Sequence, residues 1–334
     1  MQVIGYDKID RVEWSAFVHN HSQGNVFQTP EMYDVFALSD HILPIVVAAT
    51  INNQIVGILL AQYITNGNKW ASYFTARSII IGGPLVCNND SGVMKAILNA
   101  YKKQLPNQTI YSEIRPIYDI GAINVSLKSL GWIRKGHYNM QMALDKSQDA
   151  LFEQMHKERK RNVKQAINAG LVFREVTKKE DVHAIVMLIQ QTYKRKHVPI
   201  SYLDMFEKVR QLLKPYAHFF ACYGPEGKMI AGEVRLCYKD LVYAWFAGSD
   251  EHYLKLRPND FTMWSVICWS LQHGYKLLDF GGGGEPGVPY GVRDYKLKYG
   301  CQMFDYGRYV YVHRPISLWA GTLAYKIYHK LKGK

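Results

Sequence analysis

The chain has 334 residues, with 48% hydrophobic and 21% charged, a globular balance that excludes disordered and fibrous classes and leaves room for two domains. Its net charge of +13 favours anionic partners, whether nucleic acid, phosphorylated substrates or an anionic membrane surface, without choosing among them. The apolar stretches fall short of the roughly 20 residues of a membrane-spanning helix. The start, MQVIGYDKIDRVEW, lacks a signal-peptide core, so a cytoplasmic location is expected.

Helical patterns over Val12–His19 and Pro30–Leu38 open the chain, the second announced by Thr29 as cap and Pro30 as first helical residue. Leu43–Thr50, the turn Asn52-Asn53-Gln54 and Ile55–Ile64 read as a hairpin. Strands are expected at Trp70–Phe74 and Arg77–Val86, a helix at Gly92–Leu105, a strand at Thr109–Arg115, a helix at Ala122–Leu130 and a strand at Ile133–Leu144. Helices then span Ala150–Ala169, Val182–Lys194 and Ser201–Leu213. His218–Tyr223, the turn Gly224–Gly227 and Met229–Cys237 form a second hairpin, followed by strand Leu241–Ala247, helix Pro258–His273, strand Lys276–Phe280, a helix at Arg293–Tyr299 and strand Met303–His313.

The second half thus repeats the order of the first. The hairpin matches place Gly57 against Gly232, and Lys128-Ser129-Leu130-Gly131 matches Lys298-Tyr299-Gly300, at nearly equal separations. Antiparallel hairpins alternating with helices predict an α+β fold of two domains, 1–148 and 149–334, the latter carrying a C-terminal helix. That tail, Ile316–Lys332, sets Trp319, Leu323 and Ile327 at helical spacing beside lysines, which suits packing on the second half or contact with an anionic membrane surface.

The five cysteines form no CxxC pair and have no histidine at ligand spacing, so they read as reduced core thiols. The histidines include no H-x-x-x-H on an expected helix, and no metal is predicted. Gly281–Gly284 ends a strand, where glycine lets a ligand approach the backbone, yet no Gly-Lys-Ser/Thr follows as a P-loop requires. It reads as a flexible wall of a cleft, with Glu285 and Asp279 as its polar candidates; Asp279 either orients an incoming amine or caps the strand end.

Three segments stand out together: Arg159, Asn162-Val163-Lys164-Gln165-Ala166 and Gly170; Asp279-Phe280-Gly281-Gly282 followed by Tyr295-Lys296-Leu297-Lys298-Tyr299-Gly300; and Phe27-Gln28-Thr29-Pro30. They resemble, in that order, the element that opens the second domain, the D-F-G-G strand with its aromatic-lysine helix, and the F-Q-[ST]-P motif of the FemABX family of peptidoglycan-bridge aminoacyltransferases. Together they cover about residues 25 to 313.

This resemblance implies two tandem GNAT-like domains with mixed, mainly antiparallel sheets flanked by helices. It implies transfer of an aminoacyl group from aminoacyl-tRNA to an amine of a nucleotide- or lipid-linked peptidoglycan precursor, by a monomer without a permanently bound cofactor, in the cytoplasm or at the inner face of the membrane. Lys296 beside Tyr295 then matches the lysine that neutralises charge on the tRNA-side oxygen, with Lys298 as the alternative should the register slip; Arg195 and Tyr202 match acceptor-binding positions. Where many members carry a phosphate-binding lysine after the F-Q-[ST]-P helix, this chain has Phe36-Ala37-Leu38. Acyl-CoA is the alternative donor, on an amino sugar or polysaccharide, but Gly248–Pro258 lacks the R/Q-x-x-G-x-G/A pyrophosphate loop and carries Asp250-Glu251 instead. A non-catalytic basic module binding RNA or membrane is the alternative of another class.

Overall fold

A computed structural model describes residues 1–65, 73, 75–198, 200 and 203–331, with side chains to residue 323. The chain forms two compact units, one of Met1–Gly136 with Tyr306–Lys334 and one of His137–Asp305.

The first unit holds strands β1 (Gln2–Gly5), β2 (Ile42–Ile51), β3 (Gln54–Ile64), β4 (Arg77–Ile81), β5 (Leu85–Val86), β6 (Tyr111–Arg115), β7 (Ile133–Lys135) and β15 (Arg308–Val312). Its sheet runs β1-β2-β3-β4-β6-β15-β7, with β5 beside β3. Helices α1 (Arg11–Asn20), α2 (Pro30–Ala37), α3 (Ser91–Gln104) and α4 (Asn124–Ser129) flank it. Their starts follow side-chain caps: Asp10 accepts from Glu13 N, Thr29 from Met32 N and Asp90 from Val93 N. Asn52 and Asn53, at φ 51° and 63°, make the β2–β3 turn, a conformation asparagine tolerates.

The second unit holds β8 (Tyr138–Ala143), β9 (Val172–Val176), β10 (Ala217–Tyr223), β11 (Met229–Tyr238), β12 (Leu241–Ser249), β13 (Leu277–Gly284) and β14 (Gln302–Asp305). Helices are α5 (Gln148–Gln154), α6 (Lys157–Asn168), α7 (Lys179–Arg195), α8 (Met205–Leu212), α9 (Pro258–Gln272) and α10 (Gly291–Leu297), and the C-terminal α11 (Pro315–Leu331) groups with the first unit. The sheet order β9-β10-β11-β12-β13-β8-β14 repeats that of the first unit position by position. In both sheets one pair is parallel, β4 with β6 and β12 with β13. The core gathers around Phe220, whose ring stacks on Phe173 at 5.1 Å and meets Trp269 edge-on at 4.9 Å. Burial of each such ring contributes about 2–3 kcal/mol.

The two-domain α+β fold matches the expectation, but the chain crosses between sheets at places a linear reading runs through. Ile133–Leu144 is two strands, β7 in the first sheet and β8 in the second. Met303–His313 likewise divides into β14 in the second and β15 in the first, turning at Gly307 with φ 71°. Each unit therefore completes its sheet with a strand from the other half of the sequence, which moves the division from 148/149 to Gly136/His137 and Asp305/Tyr306. Ala150–Ala169 is two helices parted at Met155 and His156, where the His156 side chain caps α6. The expected strand Trp70–Phe74 lies outside the described residues except Tyr73. The tail helix, expected on the second half, belongs with the first unit and leaves Ile316 and Trp319 exposed.

The internal repeat holds in detail at one glycine pair and slips at the other. Gly131 and Gly300, at φ 83° and 85°, each turn the chain from a helix into the strand at the same sheet position, β7 or β14. Gly57 and Gly232 occupy corresponding strands, but a Cβ on Gly57 would meet Val93 of α3, whereas one on Gly232 would meet Ile185 of α7. Since α3 and α9 hold the corresponding places in chain order, the two glycines face opposite sides of their sheets and the alignment is one residue off.

Candidate active site

The second sheet opens at its parallel pair. β12 and β13 are joined at Leu241↔Leu277, Val242↔Leu278 and Tyr243↔Asp279 only. Beyond that, β12 continues along β11 to Ser249 while β13 continues along β8 to Gly284. Trp245 is an extra residue in β12, since Ala244 pairs with Arg235 and Phe246 with Val234, and such a bulge bends the strand. In the first unit the parallel pair holds for five residues, from Arg77↔Tyr111 to Ile81↔Arg115. The gap in the second unit is a cleft of about 490 Å³ lined from both faces of the sheet, by Thr192 and Tyr193 of α7 and by Asn259, Thr262 and Met263 of α9.

α7 lies directly on β12, because Gly248 lacks the Cβ that would stand 2.3 Å from Ile189 N and 2.4 Å from Leu188 O. Thr192 Oγ1 accepts from Ser249 N at 2.9 Å, fastening the helix to the strand. Arg195 Nη2 donates to Ser249 O at 2.8 Å and to Thr192 Oγ1 at 3.2 Å. The guanidinium expected at an acceptor-binding position is thus partly committed to the end of β12. Tyr202, its expected partner, lies outside the described residues.

Lys296 projects from α10 into the cleft wall, and its Nζ donates to Gly282 O at 2.8 Å. Burial pushes its pKa down to about 8, with the Asp279 carboxylate opposing the fall. Tyr295, Gly281 and Gly282 share the wall. Gly281 at φ 76° turns the strand so that its N–H donates to Asp279 Oδ1 at 2.6 Å. The glycine run is not a flexible loop: Gly282 pairs with Asn139 and Gly284 with Tyr138, making it a bulged strand.

Asp279 is fully buried and sits behind the cleft wall. Gln141 Nε2 donates to it at 2.9 Å and Asn139 Nδ2 at 3.5 Å, while burial holds its carboxyl above the usual range. Of the two readings of this residue, the one that ties the strand end fits its surroundings; an amine in the cleft does not meet it. Glu285 is exposed beyond the cleft wall. Lys298 points elsewhere, bonded to Glu158 Oε2 at 2.6 Å, a contact that holds the Glu158 carboxyl down at about 2.

A buried network fixes α10. Tyr295 and Tyr299 hydroxyls lie 2.9 Å apart, and Tyr299 donates to Asp260 Oδ1 at 2.7 Å. Arg159 Nη1 and Asn162 Nδ2 of α6 donate to the same carboxylate at 2.5 Å and 2.9 Å. The Arg159…Asn162 element and the Tyr-Lys-x-x-Tyr-Gly element therefore meet at Asp260, one stretch holding the other in place. The Gln28 side chain is likewise architectural: in the first unit it is fully buried, donates to Leu60 O and Ile81 O, and accepts from Leu60 N at 2.7 Å.

Two cleft residues escaped the sequence reading. Glu233 and Arg235 of β11 are 4% and 1% exposed and joined at 2.7 Å. Their signal is a pair of charges two apart inside the otherwise apolar strand MIAGEVRLCY. On the outer face of α6, Lys157, Lys160, Arg161 and Lys164 border an open groove of about 590 Å³.

Residues 153–297 match the family described as an acetyltransferase (GNAT) domain. No curated protein sequence matches the chain. Among solved structures, FemX is similar over 93% of this chain and 97% of its own, at 16% identity and a TM-score of 0.72. A tandem GNAT protein from the clavulanic acid biosynthesis pathway is similar over 94% and 99%, at 9% identity and 0.59. L-PGS from Bacillus licheniformis is similar over 94% and 96%, at 12% identity and 0.57. The repeated sheet order, the opened parallel pair in the second unit and these likenesses show that the chain has a tandem GNAT fold, similar to the fold of FemX.

Proposed function

We propose that the protein is a tRNA-dependent N-acyltransferase that moves an aminoacyl group onto an amine of a cell-wall precursor, with the cleft of the second unit as the transfer site. The observation that carries this reading is the Lys296 ammonium, largely desolvated in the gap between β12 and β13. At neutral pH a lysine near 8 remains mostly protonated, so it presents N–H donors to a charge that develops on oxygen. FemX, the structure with a TM-score of 0.72, supports the fold on which this reading rests.

The transfer needs a neutral amine on the acceptor. Its nitrogen attacks the ester carbonyl carbon, the C–N bond forms, and the carbonyl oxygen takes the electron pair. Collapse breaks the C–O bond to the terminal ribose; the leaving oxygen gains a proton and the new amide nitrogen loses one. Lys296 Nζ, anchored by Gly282 O, stabilises the negative oxygen at either stage, and a fixed donor of this kind contributes about 3–4 kcal/mol. The net charge of +13 and the α6 groove suit a polyanionic donor and an anionic, nucleotide- or lipid-linked acceptor.

Labelled aminoacyl-tRNA and labelled acetyl-CoA, offered in parallel with a mixed pool of cell-wall precursors, test the reading. Transfer from the tRNA onto a precursor amine is expected. Transfer from acetyl-CoA alone refutes the donor, and absence of transfer from either refutes the activity.

A further inference from the structure

Glu233 and Arg235 follow each other on the cleft-facing side of β11, and both border the cleft that holds Lys296. Arg235 Nη2 donates to Glu233 Oε2 at 2.7 Å and contacts Met263 Sδ at 3.4 Å. Three polar atoms of the pair, Glu233 Oε1 and Arg235 Nε and Nη1, are buried without a hydrogen-bond partner. Buried polar atoms are almost always satisfied, and a buried ion pair gives little stability over an apolar pair of the same volume. The dyad leaves one charged acceptor and two N–H donors buried without partners beside the cavity that both residues line. A ligand that carries a cationic donor close to a carbonyl oxygen complements both.

Resting on the aminoacyl-donor reading above, we propose that this dyad reads the donor's aminoacyl group, Glu233 Oε1 accepting from its α-ammonium and Arg235 donating to its carbonyl oxygen. A simple acyl group offers the carbonyl alone and leaves Glu233 Oε1 desolvated and without a partner, so the dyad selects against it. Sites built to bond a polar group reject analogues that lack it for this reason. Glu233 and Arg235 are then specificity-determining residues, distinct in role from Lys296.

The test uses the full chain and a panel of 3′-aminoacylamino-3′-deoxyadenosines, stable amide analogues of the charged tRNA end, each matched with a counterpart lacking only the α-amino group. Calorimetric titration is expected to show a preference of at least about tenfold for one or more aminoacyl members over their counterparts. Glu233→Gln, of the same shape, is expected to bring the two affinities together. Because the preference is read first in the parent protein, a variant that folds poorly does not remove the test. Equal affinity for both forms overturns the dyad and leaves the aminoacyl donor standing, as does a preference that persists in a folded Glu233→Gln. If no member binds and acetyl-CoA protects the chain against heating, the donor reading falls and the dyad with it.

Discussion

Replacing Lys296 with methionine leaves an unbranched side chain one atom shorter and removes its charge, and it should lower turnover while leaving stability nearly unchanged. Burial holds this lysine at about 8 against an ordinary 10.5, so its charged form costs about 3 kcal/mol more in the fold than in the unfolded chain. Below pH 8 the group is protonated in both states and the whole cost is present. Between about 8 and 10.5 the unfolded chain binds the extra proton, so stability rises with pH across that window and the cost fades. The methionine also loses the bond from Nζ to Gly282 O, about 1.5–3 kcal/mol for a charged donor. The two sides nearly offset. Denaturant unfolding at pH 7 should place Lys296→Met within about 1 kcal/mol of the parent. Turnover should fall by about 10²–10³, the loss that follows removal of one fixed donor to a developing oxyanion. In the parent, turnover should decline above pH 8 as Lys296 loses its proton, and Lys296→Arg, which stays charged, should lack that decline. Undiminished turnover in a folded Lys296→Met refutes the role; a large loss of stability would show the ammonium holding the strand rather than serving the reaction.

Three further substitutions separate architecture from chemistry. Asp260→Asn removes the buried carboxylate that Arg159 and Tyr299 share, while Arg159 keeps its ion pair with Glu158, and should cost about 1.5–3 kcal/mol in unfolding experiments. Gly248→Ala sets a Cβ against the backbone of Leu188 and Ile189, which no rotamer change relieves; α7 must move off β12, lowering stability by about 1–3 kcal/mol and weakening ligand binding in the cleft. Gln28→Leu strips the partner from Leu60 N inside the first unit, so thermal unfolding should shift down by the equivalent of about 1–3 kcal/mol while turnover per folded molecule holds.

What could be read from the sequence was what local chemistry writes into it. Caps at Asp10, Thr29 and Asp90, asparagines in the β2–β3 turn and positive-φ glycines at Gly131 and Gly300 each fix a short stretch independently of the rest. The Tyr295–Gly300 stretch stood out because aromatic rings, a lysine and a glycine are needed at fixed offsets: Tyr299 to reach Asp260, Lys296 to reach the cleft, Gly300 to turn out of the helix. The strand exchange left no such mark. Gly136 and Gly307 sit in β-rich runs that look continuous, and nothing local tells β7 and β15 that their neighbours in space differ from their neighbours in sequence.

Glu233 and Arg235 were missed for a different reason, and the reason bears on the site. Alternation assigns a strand face bearing charges to solvent. In β11 that face is closed over by α9, with Met263 against Arg235, and only the divergence of β12 from β13 admits a cleft beside it. The gap is a tertiary property: it depends on Trp245 as an added residue in β12 and on β8, a strand from the first half of the sequence, drawing β13 away. The same opening brings the Lys296 ammonium and the unsatisfied edge of the Glu233–Arg235 pair to one cavity. Buried polar atoms that lack partners thereby lie beside a space that a polar ligand can fill, whereas in the first unit the corresponding β4–β6 pair stays joined over five residues.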